Sequence, residues 1–193
     1  MAEDKSKHPE LLVRGISIIS TREYLKSRLE GPDWKIFVNK LPVDVREVIS
    51  SASKSEWYPF THQRLLREEI VRLFNPSSPR QAILDAYLFA TRYEISAFLR
   101  GIFSFLPVKL VLARAAAVWD KYYNMGDMTA VFTSEKSASL ELRDFPGDRL
   151  FCPTVEAWLV NAAKYLNLAN PRVEETSCVH SGDSLCSWRV LWD

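Results

Sequence analysis

The sequence predicts an α+β domain in which helices come first and an antiparallel sheet follows. Two observations carry this reading. Apolar residues recur at spacings of three and four through most of the first 126 positions, and from Met128 onward the period changes to two. The resulting order is several helices, hairpin, helix, hairpin, which places each strand beside a sequence neighbour and favours antiparallel pairing. With 193 residues the chain suits a single domain. Its parts are a flexible tail over 1–12, a mainly helical stretch over 13–126 and a hairpin–helix–hairpin over 127–193.

Short helices are expected over 22–29, 34–41 and 42–50, with Pro42 at a first helical position and Leu25, Leu29, Ile36 and Phe37 buried. Gly31-Pro32 separates the first two. Trp57-Tyr58-Pro59-Phe60 reads as extended, because a proline biases the residue before it away from the α region. Thr61 is placed to cap a helix that buries Leu65, Leu66, Ile70, Leu73 and Phe74. Ser78-Pro79 opens the longest periodic segment, running over 79–105 through Ile83, Tyr87, Ala90, Glu94, Phe98 and Phe105. Ala86, Ala90, Ala97 and Gly101 form a small-residue track on it, open to two readings: close packing within the chain or a homodimer seam. A further helix follows Pro107 and ends at Gly126. The first hairpin is expected over 128–133 and 138–145 around a four-residue loop at 134–137, a helix over 153–168, and a last hairpin over 172–192.

Composition excludes several classes. Lys and Arg total 25 against 24 acidic residues, so no global charge selects nucleic acid or anionic lipid. Aromatics at 12% and only six glycines argue against disorder. The first residues mix charge signs without an apolar run, unlike a secretory signal. The apolar stretch 95–119 is interrupted by Arg100, Pro107, Lys109 and Arg114 and reads as two buried helices, with no membrane span. An odd cysteine count of three points to a reducing compartment, hence a cytoplasmic protein with free thiols.

Catalytic signatures are missing. There is no Gly-x-Ser-x-Gly elbow, no P-loop and no Gly-x-Gly-x-x-Gly fingerprint, and three histidines leave few general bases. Glu174 and Glu175 are adjacent in a strand, so they face opposite ways and cannot flank one substrate atom. No catalytic residue is assigned, and the chain is expected not to be an enzyme.

The C-terminal hairpin is richer. Cys186, Trp188, Val190 and Trp192 alternate onto one face, with Ser187 and Arg189 on the other. A turn centred on Gly182 makes cross-strand partners sum to 364, which sets Cys178 opposite Cys186 with His180 on the same face. A loop of Gly182-Asp183 alone would separate the two thiols. Two thiols and an imidazole suit zinc better than magnesium or calcium. Cys152, His62 or a neighbouring glutamate are the candidates for a further ligand. The alternatives stay open: small buried hydrophobes beside the tryptophans, or a redox pair.

Glu175-Thr176-Ser177-Cys178, Gly182-Asp183 and Cys186, with Trp158-Leu159 upstream, resemble the C-terminal signature of the 4-vinyl reductase domain, a sensory module of aromatic-responsive bacterial regulators. Arg14-Gly15, Tyr24-Leu25, Leu41-Pro42 and Trp57-Tyr58-Pro59-Phe60, with Trp119, Tyr122-Tyr123, Gly126 and Trp192, are similar to a paralogous myxobacterial family of unknown function. The wider superfamily takes in haem-nitric-oxide-binding domains and vesicle-tethering subunits. The resemblance implies helices on a small twisted antiparallel sheet around an apolar pocket, frequently in a dimer, and a zinc held partly by the hairpin cysteines. A haem would imply a Tyr-x-Ser-x-Arg element and a proximal histidine; neither occurs, so haem is set aside.

Trp119, Tyr122, Tyr123 and Trp158 are the candidate ligand-binding residues, since each brings an apolar body and a single polar handle. The expected function is a non-enzymatic, homodimeric regulatory module for a small apolar ligand or a protein partner. A scaffold subunit with a vestigial pocket is the second expectation, and an enzyme acting on a tetrapyrrole-like substrate the third.

Overall fold

The computed structural model describes residues 10–94, 107–112 and 114–193. The described part opens with β1 (Leu12–Arg14), so the expected tail already ends in a strand, and passes into α1 (Gly15–Arg28), α2 (Pro32–Lys40) and α3 (Val43–Ser51). Strand β2 (Trp57–Pro59) pairs antiparallel with β1, Val13 opposite Tyr58. Three-residue strands are too short to show alternation, which is why the sequence reads only an extended segment here. Gly15 is required by crowding: a Cβ would stand 2.0 Å from the Ser53 carbonyl oxygen. The same motif residues lock the corner, with Arg14 lying 3.6 Å over the Trp57 ring and donating to the carbonyls of Ser55 and Lys121.

Helix α4 (Phe60–Phe74) follows without a side-chain cap, and Thr61 is not its N-cap. Pro42 likewise precedes α3 rather than opening it. α5 (Pro79–Glu94) packs against α1 and α4. The expected continuation through Ala97, Phe98, Gly101 and Phe105 lies outside the described residues. Ala86 and Ala90 are buried within the chain, so this half of the small-residue track serves intramolecular packing. Ile36, expected inside, is 52% exposed. Short α6 (Val108–Leu112) and α7 (Ala115–Tyr122) come next. α7 stops at Tyr122 with Tyr123 extended, so the helix ends before the expected glycine stop; Gly126, at φ +83 in the left-handed region that favours glycine, instead turns the chain into β3.

The C-terminal half is β3 (Asp127–Ser134), β4 (Ser137–Arg143), α8 (Cys152–Tyr165), β5 (Arg172–Ser177) and β6 (Cys186–Leu191), with the four strands in the antiparallel order β3-β4-β6-β5. The β3–β4 connection is shorter than expected: Ser134 and Ser137 pair directly beyond a bulge, leaving Glu135-Lys136 as the turn. α8 packs on α5 and on the sheet, so the central layer is helix, helix, sheet. Among the described residues no helix is long and apolar enough to cross a membrane.

One cation holds the helical half to the strand half. Arg67 of α4 is 0% exposed, donates to Gln63 at 3.0 Å and pairs with Asp148 in the connection before α8. Its guanidinium lies over the rings of Phe60 and Phe151, which join Trp119, Tyr123 and Phe145 in one aromatic cluster. Removing one partner of such a buried pair strands the other charge. Arg67→Ala is therefore expected to lower the unfolding free energy by about 3–5 kcal/mol in urea titration, far beyond the effect of a surface arginine such as Arg64.

Candidate functional site

The helices and the sheet leave a cavity of about 70 Å³ between them. Its walls come from five elements: Ser17 of α1; Tyr87, Thr91 and Glu94 of α5; Val118, Trp119 and Tyr122 of α7, with Tyr123 just after; Met128 and Leu140 of the sheet; and Thr154, Val155, Trp158 and Leu159 of α8. The helical period explains the convergence: 87, 91 and 94 are spaced by four and three, and 158 and 159 lie three and four positions after 155. The four aromatic residues picked out in the sequence, Trp119, Tyr122, Tyr123 and Trp158, thus line one space.

Most polar groups here are already committed. Trp119 donates its indole N–H to the Met125 carbonyl at 2.8 Å. Thr91 and Thr154 donate back to the carbonyls of Tyr87 and Phe151. Burial pushes the Tyr122 and Tyr123 hydroxyls well above the ordinary tyrosine range. Glu94 is the exception that sequence reasoning missed, reading it as one more position of the helical period. One carboxylate oxygen accepts from Ser20 at 2.6 Å, and no other hydrogen bond to Glu94 is formed among the described residues. Burial raises its pKa from 4.5 to about 7.

A second cluster lies at the N-terminal end of α8. Cys152 Sγ is 3.6 Å from Cys178 Sγ and 3.7 Å from Cys186 Sγ, and the three sulfurs lie within 4.8 Å of one another. The β5–β6 register explains this. Partners sum to 363 along β5 until an irregularity between Glu175 and Ser177, after which Ser177 faces Ser187 and the sum becomes 364. That single-residue shift brings Cys178 level with Cys186. Cys152, offered by the sequence only as a further ligand, is a full member of the triad. His180 lies in an exposed 3₁₀ turn (Val179–Ser181), where its charge helps hold the Cys186 thiol low. His62 is remote, bonded to Asp44 at 3.1 Å. The Cys186 thiol is lowered chiefly by the hydrogen bond from Cys152, whereas that same bond and burial push Cys152 up. Beside the triad an open cleft of about 680 Å³, lined by Arg80, Arg149, Glu175, Cys178 and Asp183, gives a path from solvent. Glu175 sits near enough to raise the Cys152 and Cys178 thiols and is tied to Arg80 at 3.5 Å. Glu174 instead faces Arg189, so the two glutamates do diverge.

No family model and no curated protein matches the chain. Solved structures do. The fold is similar to an H-NOX protein from Shewanella oneidensis in the Fe(II)NO ligation state, with TM-score 0.73 and 14% identity over 93% of this chain and 99% of that one. It is also similar to the Fe(II) unliganded H-NOX protein from K. algicida, with TM-score 0.69 and 8% identity over 93% and 96%. The likeness therefore spans the chain and shows a shared α+β fold. Two sequence expectations are corrected. The likeness to the 4-vinyl reductase domain gives way to H-NOX as the matched fold, because the hairpin motifs of Cys178 and Cys186 are short and sheet geometry is shared more widely. Setting haem aside is overturned at the level of the fold, since matched structures include H-NOX proteins studied for heme distortion. Zinc has no support in these comparisons and is not carried forward as the ion.

Fold and lining part company, however. The residues described around the cavity do not fit haem: they include no imidazole or thiolate, and the buried tyrosines resist ionisation. At about 70 Å³ the space is smaller than an apolar cavity of about 150 Å³ that takes benzene.

Glu94 should leave a pH signature. Its folded pKa lies above the ordinary carboxylate value, so the folded state binds the extra proton, and stability is lost as pH rises from about 4.5 through about 7. Glu94→Gln removes this dependence. Denaturant unfolding of wild type and variant at pH 5 and pH 8 should show the variant gaining on the order of 2 kcal/mol relative to wild type at the higher pH.

Proposed function

We propose that this domain is a small-molecule-sensing module whose ligand occupies the cavity between α5, α7, α8 and the sheet. The observation that carries the reading is the lining itself: aromatic and aliphatic walls around a few polar groups, among them the Glu94 carboxylate held by Ser20, built from elements of both halves of the chain. Its full-length likeness to H-NOX chains, one of them described with NO bound, supports a sensing role over a catalytic one. Trp119, Tyr122, Tyr123 and Trp158 are the ligand-contacting residues. Occupancy shifts the packing of α5 on α8, and the altered surface is read by a protein partner or a second copy of the chain.

NMR titration with 2-propanol and tert-butanol tests this. Shifts confined to the Met128 methyl and the Trp119 and Trp158 indoles are expected. No shift with any probe would leave the scaffold reading, in which the protein's own side chains fill the space. Hemin added to the same sample tests the occupant of the matched fold: a one-to-one Soret complex would replace the small-molecule reading with a haem one.

The thiol triad supports a second site. Cys152, Cys178 and Cys186 are the proposed ligands of a thiophilic metal ion, with the nearby Glu175 carboxylate as the candidate fourth donor. Metal–sulfur bonds of about 2.3 Å in a tetrahedron set sulfur–sulfur edges of about 3.8 Å, close to the 3.6 and 3.7 Å found. Such an ion would pin the start of α8 to β5 and β6. Cobalt(II) is a suitable probe: one equivalent should give intense thiolate charge-transfer absorption, and Cys186→Ser should weaken its binding at least tenfold. Ordinary aquo-cobalt absorption in the wild type would show the thiols to be packing residues.

A further inference from the structure

The sensing reading leaves the class of ligand open, and Glu94 narrows it. A carboxylate in an apolar cavity is costly unless a positive charge or hydrogen-bond donors meet it. Here one oxygen takes the Ser20 hydroxyl, and among the described residues lining the cavity there is no lysine, arginine or histidine. The nearby hydroxyls of Thr91 and Thr154 are spent on backbone carbonyls. The nearest titratable neighbours, Tyr87 within α5 and Tyr122 and Tyr123 at the end of α7, feel its charge as unfavourable. None supplies a cation. The rings of Trp119, Tyr122 and Trp158 share the same space, and aromatic faces attract organic cations.

We infer that the cavity takes a small organic ammonium ion, its positive charge against the Glu94 carboxylate and its alkyl groups among the tryptophan and tyrosine rings. The inference rests on the sensing reading and deepens it. A cavity of about 70 Å³ sets the size: isopropylammonium or trimethylammonium rather than a fused aromatic amine, given that benzene takes about 150 Å³. Binding draws the proton from Glu94, whose pKa of about 7 puts that exchange near neutrality. The ligand would thereby supply a positive charge that the described residues lining the cavity do not.

Paired isosteres test this in NMR titrations of the full chain. Isopropylammonium should bind at least tenfold more tightly than 2-propanol at pH 8. Its advantage should shrink several-fold by pH 6, where Glu94 is mostly protonated while the amine, of pKa about 10, keeps its charge. Glu94→Gln should bring the amine-to-alcohol ratio to about one, with folding of the variant checked by thermal unfolding. Equal binding of amine and alcohol by the wild type would overturn the ammonium assignment and leave the sensing reading standing. Failure of every probe to bind would overturn both.

Discussion

The pairing of Arg67 with Asp148, buried among Phe60, Phe151 and their aromatic neighbours, is the constraint on which the other features depend. A charge with no exposure must be matched where it sits, so the connection carrying Asp148 has to lie against α4. That connection leads directly into α8. Its placement therefore sets where α8 begins, and with it the Cys152 sulfur, the tilt of Val155 and Trp158 over the cavity, and the packing of α8 on α5. Asn124 fastens the other side: it accepts from the Leu12 N–H and donates to the Glu10 carbonyl, holding the end of α7 to the first strand.

Because α8 carries Cys152 at one end and cavity residues along its next two turns, the thiol triad and the cavity are mechanically continuous. Linkage between two such sites is reciprocal: whatever fixes the helix start also fixes the cavity wall. The Arg80 bridge to Glu156 and Glu175 adds a second strap from α5 to α8 and β5 on the cleft side. α8 is thus the element whose position both the thiol cluster and the cavity wall share.

Shared architecture and divergent lining are compatible. H-NOX chains at 8% and 14% identity preserve the order of helices and strands, since that order depends on the periodic apolar pattern rather than on particular residues. The cavity wall has no such tolerance. Exchanging wall residues leaves the fold intact and changes what the cavity can hold.

By itself the sequence determined the change of period near residue 127, the antiparallel hairpins, the left-handed glycine at 126, and the alternation that puts Cys186, Trp188 and Val190 on one face, because these follow from local spacing and backbone preference. It also singled out the four aromatics that line one cavity. It missed the β1–β2 pair, whose three-residue strands are held by contacts from residues more than forty positions away. It was open between registers for the last hairpin, and an irregularity between Glu175 and Ser177 decided the matter. The significance of Glu94 and Arg67 came only from tertiary structure: a charged residue in a helical pattern reads as solvated, and enclosure by distant segments is what puts Glu94 in a cavity wall and makes Arg67 a structural anchor.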